Sequence, residues 1–280
     1  MPIFDTPGPI SAVVDVFVGD VRVTATERPD TVVEVRPTNP AADKDVRVAD
    51  ETRVEFTDGR LLVKAPDQRV LGLFGKPGSI DVEILLPAGS RLRGEASVAA
   101  FHGAGRLGET RIKNSTGDIH LESTGPLDVT TPSGAIVVRS VTGHATVNGS
   151  GEVRLDRIDG SAVVKNTNGD SRIGEITGDL KARAANGDIT VGRAGADVTA
   201  SSANGDVRIR EVTAGIVSVK TANGELEIGI PAGTAAFLDL HTSYGNVHNR
   251  LTTATEPGQG EQSVEVRARN SYGDIIVRRP

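Results

Sequence analysis

The sequence predicts an all-β protein: a single-stranded β-helix, or solenoid, of ~18-residue coils with a less regular N-terminal β cap. Three observations carry the prediction. A turn motif of the form Asn/Ser-x-Gly-Asp-apolar recurs through the C-terminal two thirds of the chain. Apolar and polar residues alternate with period two after each turn glycine. Helical periodicity is almost absent, with no ten-residue window carrying apolar residues at i, i+3, i+4 and i+7.

The turn glycines are Gly117, Gly134, Gly151, Gly169, Gly187, Gly205, Gly224, Gly245 and Gly273, spaced by 17, 17, 18, 18, 18, 19, 21 and 28 residues. A fixed period of this length is the mark of a stacked repeat architecture. Two residues after each glycine stand Ile119, Ile136, Val153, Ser171, Ile189, Val207, Leu226, Val247 and Ile275. Four residues after it stand Leu121, Val138, Leu155, Ile173, Val191, Ile209, Ile228, Asn249 and Val277. Polar residues lie between, as in Asp206 and Arg208, so each segment reads as a strand with one packed and one wet face. Ser171 and Asn249 interrupt the apolar columns.

A second strand follows half a period later, as in Ala162 and Val164 or Val217 and Val219, usually after a glycine such as Gly160 or Gly215. Two strands and two turns make one coil, and coils stack ~4.8 Å apart. A hairpin-stacked β-sandwich would also suit strands at this spacing. Near-identical turn chemistry at a fixed period favours the solenoid.

Residues 1–95 are read as an irregular β region that caps or continues the solenoid, and 96–280 as the repeats. Strand candidates in the first part are 12–18, 21–26, 32–36, 46–48, 53–56, 61–64 and 80–86, with 38–44 as a polar loop. Leu86-Pro87-Ala88-Gly89 marks the boundary, and residues 252–262 form a polar insertion before the last repeat.

These repeats, together with the segment Val82-Glu83-Ile84-Leu85-Leu86-Pro87-Ala88-Gly89, resemble a bacterial β-strand-repeat family of unassigned function, of DUF4097 type, often described as candidate adhesins. The resemblance covers nearly the whole chain. It implies a solenoid-like architecture and brings no catalytic motif to carry over. The adhesin description implies a surface location.

Composition narrows the function. A net charge of -6 and the absence of aromatics interleaved with basic residues argue against nucleic acid as the partner. With no cysteine there is neither a disulfide nor a thiolate metal site. No stretch reaches the ~20 apolar residues of a membrane span. Met1-Pro2-Ile3-Phe4-Asp5 shows neither a cationic nor an apolar leader segment, so the expected location is the cytoplasm.

Each candidate site has a plainer structural reading beside it. The carboxylates Asp118, Glu152, Asp170, Asp188, Asp206, Glu225 and Asp274 would line up as a column, either a cation ladder or turn chemistry offset by Arg154, Arg172 and Arg208. Turn chemistry is the better fit, because calcium solenoids repeat their glycines and Asp every nine residues. Asn168, Asn186, Asn204 and Asn223 would form an asparagine ladder that serves stability.

His102–Gly108 contains a formal G-x-G-x-x-G without the helix a dinucleotide site requires, and Pro77 after Lys76 rules out a phosphate loop. Five scattered histidines show no helical metal spacing. No cofactor is expected. The residues singled out for partner contact are Leu71, Leu73 and Phe74, in an apolar glycine-hinged stretch, and Tyr244 and Tyr272, which share one repeat position.

The expected function is a non-enzymatic binding, adhesin-like or scaffold protein that contacts a protein partner or itself. A carbohydrate-active β-helix enzyme is the alternative. It would need paired carboxylates and aromatic sugar platforms, and the chain has no Trp and two Tyr. A glycan ligand is therefore unsupported at this level. A Thr-rich ice-binding face is disfavoured by the charged outward positions.

Overall fold

The structure, a computed structural model, describes residues 1–67, 77–251 and 263–280. By internal contact the chain divides into two units, Met1–Val138 and Arg139–Pro280. Both are parallel β-solenoids. Parallel pairing of strands one period apart excludes the sandwich, whose neighbours would be antiparallel hairpins.

In the first unit, β1 (Ile3–Asp5), β2 (Ser11–Thr26) and β3 (Asp30–Pro37) precede the helix α1 (Asp43–Glu51). Then come β4 (Arg53–Thr57), β5 (Arg60–Lys64), β6 (Ile80–Pro87), β7 (Arg91–Arg106), β8 (Thr110–Thr116), β9 (Ile119–Thr124) and β10 (Leu127–Thr131). The first long strand is not at the edge. β2 pairs in parallel with β7 on one side, from Ser11↔Arg91 to Ala25↔Gly105. On its other side it pairs in parallel with β5 and β6. Antiparallel β4 covers β5, antiparallel β3 covers β6, and β1 pairs with β3. Antiparallel cover of this kind blunts the edge that a bare parallel coil would present.

Helix α1 corrects the sequence reading, which placed a loop over 38–44 and a strand at 46–48. Val46 and Val48 alternate as in a strand, but only Val48 is buried. Asp45, also buried, accepts N–H bonds from Asn39 (3.2 Å) and Ser79 (3.0 Å). Those tertiary bonds, with Asp43 and Asp45 favourably placed in the first turn, override the local pattern.

β11 (Ile136–Thr142) follows in sequence, and the second unit continues with β12 (Ala145–Gly149), β13 (Val153–Asp159), β14 (Ala162–Asn168), β15 (Ser171–Ile176), β16 (Leu180–Asn186) and β17 (Ile189–Ala194). Next are β18 (Val198–Asn204), β19 (Val207–Val212), β20 (Gly215–Asn223) and β21 (Leu226–Gly229). The last four strands are β22 (Ala235–Tyr244), β23 (Val247–Asn249), β24 (Ser263–Tyr272) and β25 (Ile275–Arg278).

Inward columns run in register: Leu155, Ile173, Val191, Ile209 and Ile228 on one sheet, Val164, Ala182, Ala200 and Val219 on the other. All are at most 1% exposed. Burying each Ile or Val contributes roughly 1.5–3 kcal/mol. A third column, Ile158, Ile176, Ala194 and Val212, closes the core at the far end of the first strand.

Stacking departs from sequence order at the end of the chain. β24 pairs with β20 on one side and β22 on the other, and β25 likewise lies between β21 and β23. The last coil in sequence is thus inserted, and the coil of β22 and β23 lies outside it. This accounts for Asn249: its column ends on an exposed coil, where its side chain accepts the Leu251 N–H at 3.0 Å. Ser171 is buried and receives the Asn166 amide at 3.2 Å.

Asn166 belongs to a pattern that the repeat analysis missed. Three residues before the turn glycine stand Asn114, Thr131, Asn166, Ser202, Thr221, Thr242 and Asn270. Each donates to a backbone carbonyl of a neighbouring coil, as in Asn166 to Gly151 (2.9 Å), Thr221 to Gly205 (2.9 Å) and Asn270 to Gly224 (2.8 Å). A polar residue at a fixed offset inside an apolar run was the available signal.

Candidate binding faces

The recurring turn consumes its own polar groups. Asn186 donates to Asn168 Oδ1 at 2.9 Å, Asn204 to Asn186 Oδ1 at 3.0 Å, and Asn223 to Asn204 Oδ1 at 3.0 Å. Asn168 donates in turn to Ser150 Oγ at 3.2 Å. The expected asparagine ladder is thus a chain of amide bonds running coil to coil.

The carboxylate column bonds in the same direction. Oδ1 of Asp170 accepts the backbone N–H of Asp188 (3.1 Å), Asp188 that of Asp206 (2.9 Å), and Asp206 that of Glu225 (2.7 Å). In Asp274 the Asn246 N–H, followed by His248, holds the carboxyl below its ordinary value. The second oxygens meet arginines: Arg172 spans Glu152 (2.6 Å) and Asp170 (3.0 Å), and Arg208 spans Asp188 (3.2 Å) and Asp206. These oxygens already have partners, so the column works as turn and ion-pair chemistry. Among the described residues, no three His, Asp or Glu side chains converge as a metal site would require.

The sheet of β12, β14, β16, β18, β20, β24 and β22 has a different outer face. Register places Asn148, Lys165, Arg183, Ser201, Lys220, Arg269 and His241 in one row, one residue per strand. No carboxylate interrupts it. Lys181 lies two residues from Arg183 on the same face. Arg269 is paired with Asp239, whereas Lys165, Lys181, Arg183 and Lys220 are exposed and have no ion pair among the described residues.

Tyr244 and Tyr272 fall in register at the end of the asparagine ladder, with Tyr272 beside Asn223. Their rings stack at 4.8 Å between centroids and 7° between planes, and both are more than half exposed. Phe237 and Val247, on the same outer coil as Tyr244, are exposed as well. Leu71, Leu73 and Phe74 lie outside the described residues.

The first unit brings together two histidines that sequence left apart. β7 and β9 align His102 with His120, and the rings stack at 5.4 Å. The pairing is invisible without register. Burial, and then the neighbouring His120 and Arg22, push the His102 imidazole below its ordinary value of 6.5, against a smaller opposing pull from Asp20 and Asp118. His120 Nδ1 is buried without a hydrogen-bond partner.

A depressed imidazole means that the unfolded chain binds the proton more readily. Stability is therefore full above pH 6.5 and falls as pH drops from there through the folded-state value. Thermal midpoints from pH 8 to pH 5 should decline more steeply for the natural protein than for His102→Gln. Parallel curves would refute this. A groove of about 490 Å³ near the middle of β2 and β7 is bordered by Lys64 and Lys113 and by Asp15, Asp67 and Glu95, a mixed set with no convergent chemistry.

The fold and these faces define a parallel β-solenoid with flat, ladder-patterned surfaces. Among the described residues, no helix is long and apolar enough to cross a membrane. The chain belongs to the Toastrack DUF4097 family, whose profile matches residues 13–278.

Three solved structures are similar to it. A candidate adhesin from Bacteroides fragilis is 15% identical, with 99% of this chain and 95% of that one covered at a TM-score of 0.41. Another from Parabacteroides merdae is 12% identical, with 100% and 95% covered at 0.40. A candidate lipid-binding protein from Parabacteroides distasonis is 11% identical, with 100% and 95% covered at 0.39. Likenesses this distant carry no argument about what the present chain binds. No curated protein matches the sequence.

Proposed function

We propose that this chain is a non-enzymatic, adhesin-like binding and scaffold protein that also associates with itself through its outermost described coil. The observation that carries the reading is the set of large apolar side chains exposed along β22 and β23. Phe237 and Tyr244 point outward into water there, and Val247 is exposed although the column it continues is sealed at Ile275. Exposed aromatic anchors beside a strand edge are typical of contact surfaces. Among the described residues β22 pairs only with β24, so its other edge offers free backbone groups to an added strand.

The division at residue 95 belongs to this reading: the irregular region caps, and the repeats from 96 onward bind. Light scattering and negative-stain microscopy over a concentration series test it. The mass should rise with concentration, and Phe237→Ser combined with Tyr244→Ser should abolish the rise. A particle that stays monomeric at every concentration would sink the self-association.

A further inference from the structure

The row Asn148, Lys165, Arg183, Ser201, Lys220 has no counterpart on the opposite sheet, where arginines such as Arg172 and Arg208 are held by carboxylates of their own and adjacent coils. An acidic protein of net charge -6 thus concentrates four cations without ion pairs, Lys165, Lys181, Arg183 and Lys220, on one face. Parallel coils set them on a rigid lattice of ~4.8 Å per strand. Between and beside them stand short polar side chains: Asn148 and Ser201 in the row, Thr199 and Ser218 next to it.

We propose that this face binds a linear acidic glycan bearing a carboxylate on each sugar, laid along the stacking direction. The inference rests on the reading of the chain as a binding protein and names its ligand class.

Three features select that ligand. The advance of one sugar ring in an extended glycan is close to the ~4.8 Å strand spacing, so successive carboxylates meet successive strands in step. The neighbouring cations Lys165 and Arg183 are flanked in the row by the amide of Asn148 and the hydroxyl of Ser201, which suits a polymer that carries hydroxyls beside its carboxylates. The asparagine ladder runs parallel to the row and ends on the stacked Tyr244 and Tyr272, where a sugar ring can lie flat.

Nucleic acid fits less well, because the row has no interleaved aromatic residue for base stacking. A membrane surface fits less well too, since the row carries no apolar side chain to insert.

The test is titration of the full chain with polygalacturonate oligomers at low and moderate salt, beside neutral dextran, single-stranded DNA and anionic phosphatidylserine vesicles. Binding is expected to polygalacturonate alone and to weaken with salt. The combined variant Lys165→Gln, Arg183→Gln, Lys220→Gln should lose at least tenfold in affinity, while Lys165→Arg with Lys220→Arg retains it. Arg154→Gln, on the opposite sheet, should change nothing. These side chains are exposed, so melting curves of the variants should match the natural protein.

Absence of polygalacturonate binding at low salt, an undiminished triple variant, or equal binding to DNA or vesicles would each overturn the proposal. Light scattering on the same triple variant separates the two readings. Lost glycan binding with self-association intact supports both, and glycan binding by a strictly monomeric protein removes only the self-association.

Discussion

Gly187→Val should destabilise the second unit by about 4 kcal/mol or more. A Cβ at Gly187 would lie 2.3 Å from the Gly169 carbonyl oxygen and 2.6 Å from its carbon. Both atoms are backbone and have no rotamer through which to escape. The residue also sits at φ +122°, where a β-branched side chain is strained by ~1–3 kcal/mol. Relieving the clash means parting two coils, which breaks the Gly169 N–H bond to the Asn186 carbonyl (3.0 Å) and the amide link from Asn186 to Asn168. Each such bond contributes about 1 kcal/mol net.

The column extends the problem in the other direction, since Gly205 approaches the Gly187 carbonyl oxygen just as closely. Gly233→Ala is the control: its Cβ meets nothing within 4 Å, so only the cost of its positive φ remains. Denaturant titration of the two variants decides. A Gly187→Val protein within 1 kcal/mol of the natural one would contradict the stacking argument.

The second large effect concerns the inserted coil. Removing residues 263–280 should cost the second unit more than about 5 kcal/mol and leave it prone to aggregation. Val264, Val266, Ala268, Ile275 and Val277 are all fully buried, and the Val and Ile side chains are each worth roughly 1.5–3 kcal/mol. A peripheral coil would take only its own contacts with it. This one lies between β20 and β22, so its loss uncovers the inward face of Val217 and Val219 and strips β22 of its partner. Circular dichroism melts and sedimentation of the truncated chain should show a lower, broadened transition and soluble aggregates. An unchanged, cooperative melt would mean that β22 can close onto β20 directly.

The repeat made most of the second unit legible in advance. Period-two alternation after Gly169, Gly187 and Gly205 identifies the inward residues without coordinates, because side chains alternate across any strand and only one face can be dry. The asparagine ladder followed from the same period: identical residues one coil apart must stack. The helix α1 was illegible for the opposite reason. Its stability draws on Asp45 bonding to Ser79, a partner 34 residues away that no local window contains. The polar side chains three residues before most turn glycines were visible as letters, but their role depends on the carbonyl of a neighbouring coil.

Among the residues singled out for contact, the structure describes Tyr244 and Tyr272 and shows them stacked and exposed. Sequence gave their shared repeat position, and register made them a pair. His102 and His120 had no such cue, because they stand at different places relative to their glycines and meet only through the long strand β7. The basic row is a similar case. Lys165, Arg183 and Lys220 look scattered along the chain and align only once the strands of the second sheet are placed in register.

By itself, then, the sequence determined the coil: its length, its dry face, its glycine turn and the chemistry that ties one turn to the next. Those properties depend on separations of a few residues or on exact periodicity, both written in the chain. Only the tertiary structure decided the order in which coils stack, the placing of β2 and β24 inside strands that precede or follow them in sequence, and the composition of each outer face. Parallel strands with similar apolar columns can pair in many orders at nearly equal local energy. The choice among them rests on edge cover, loop reach and side-chain register summed over whole coils.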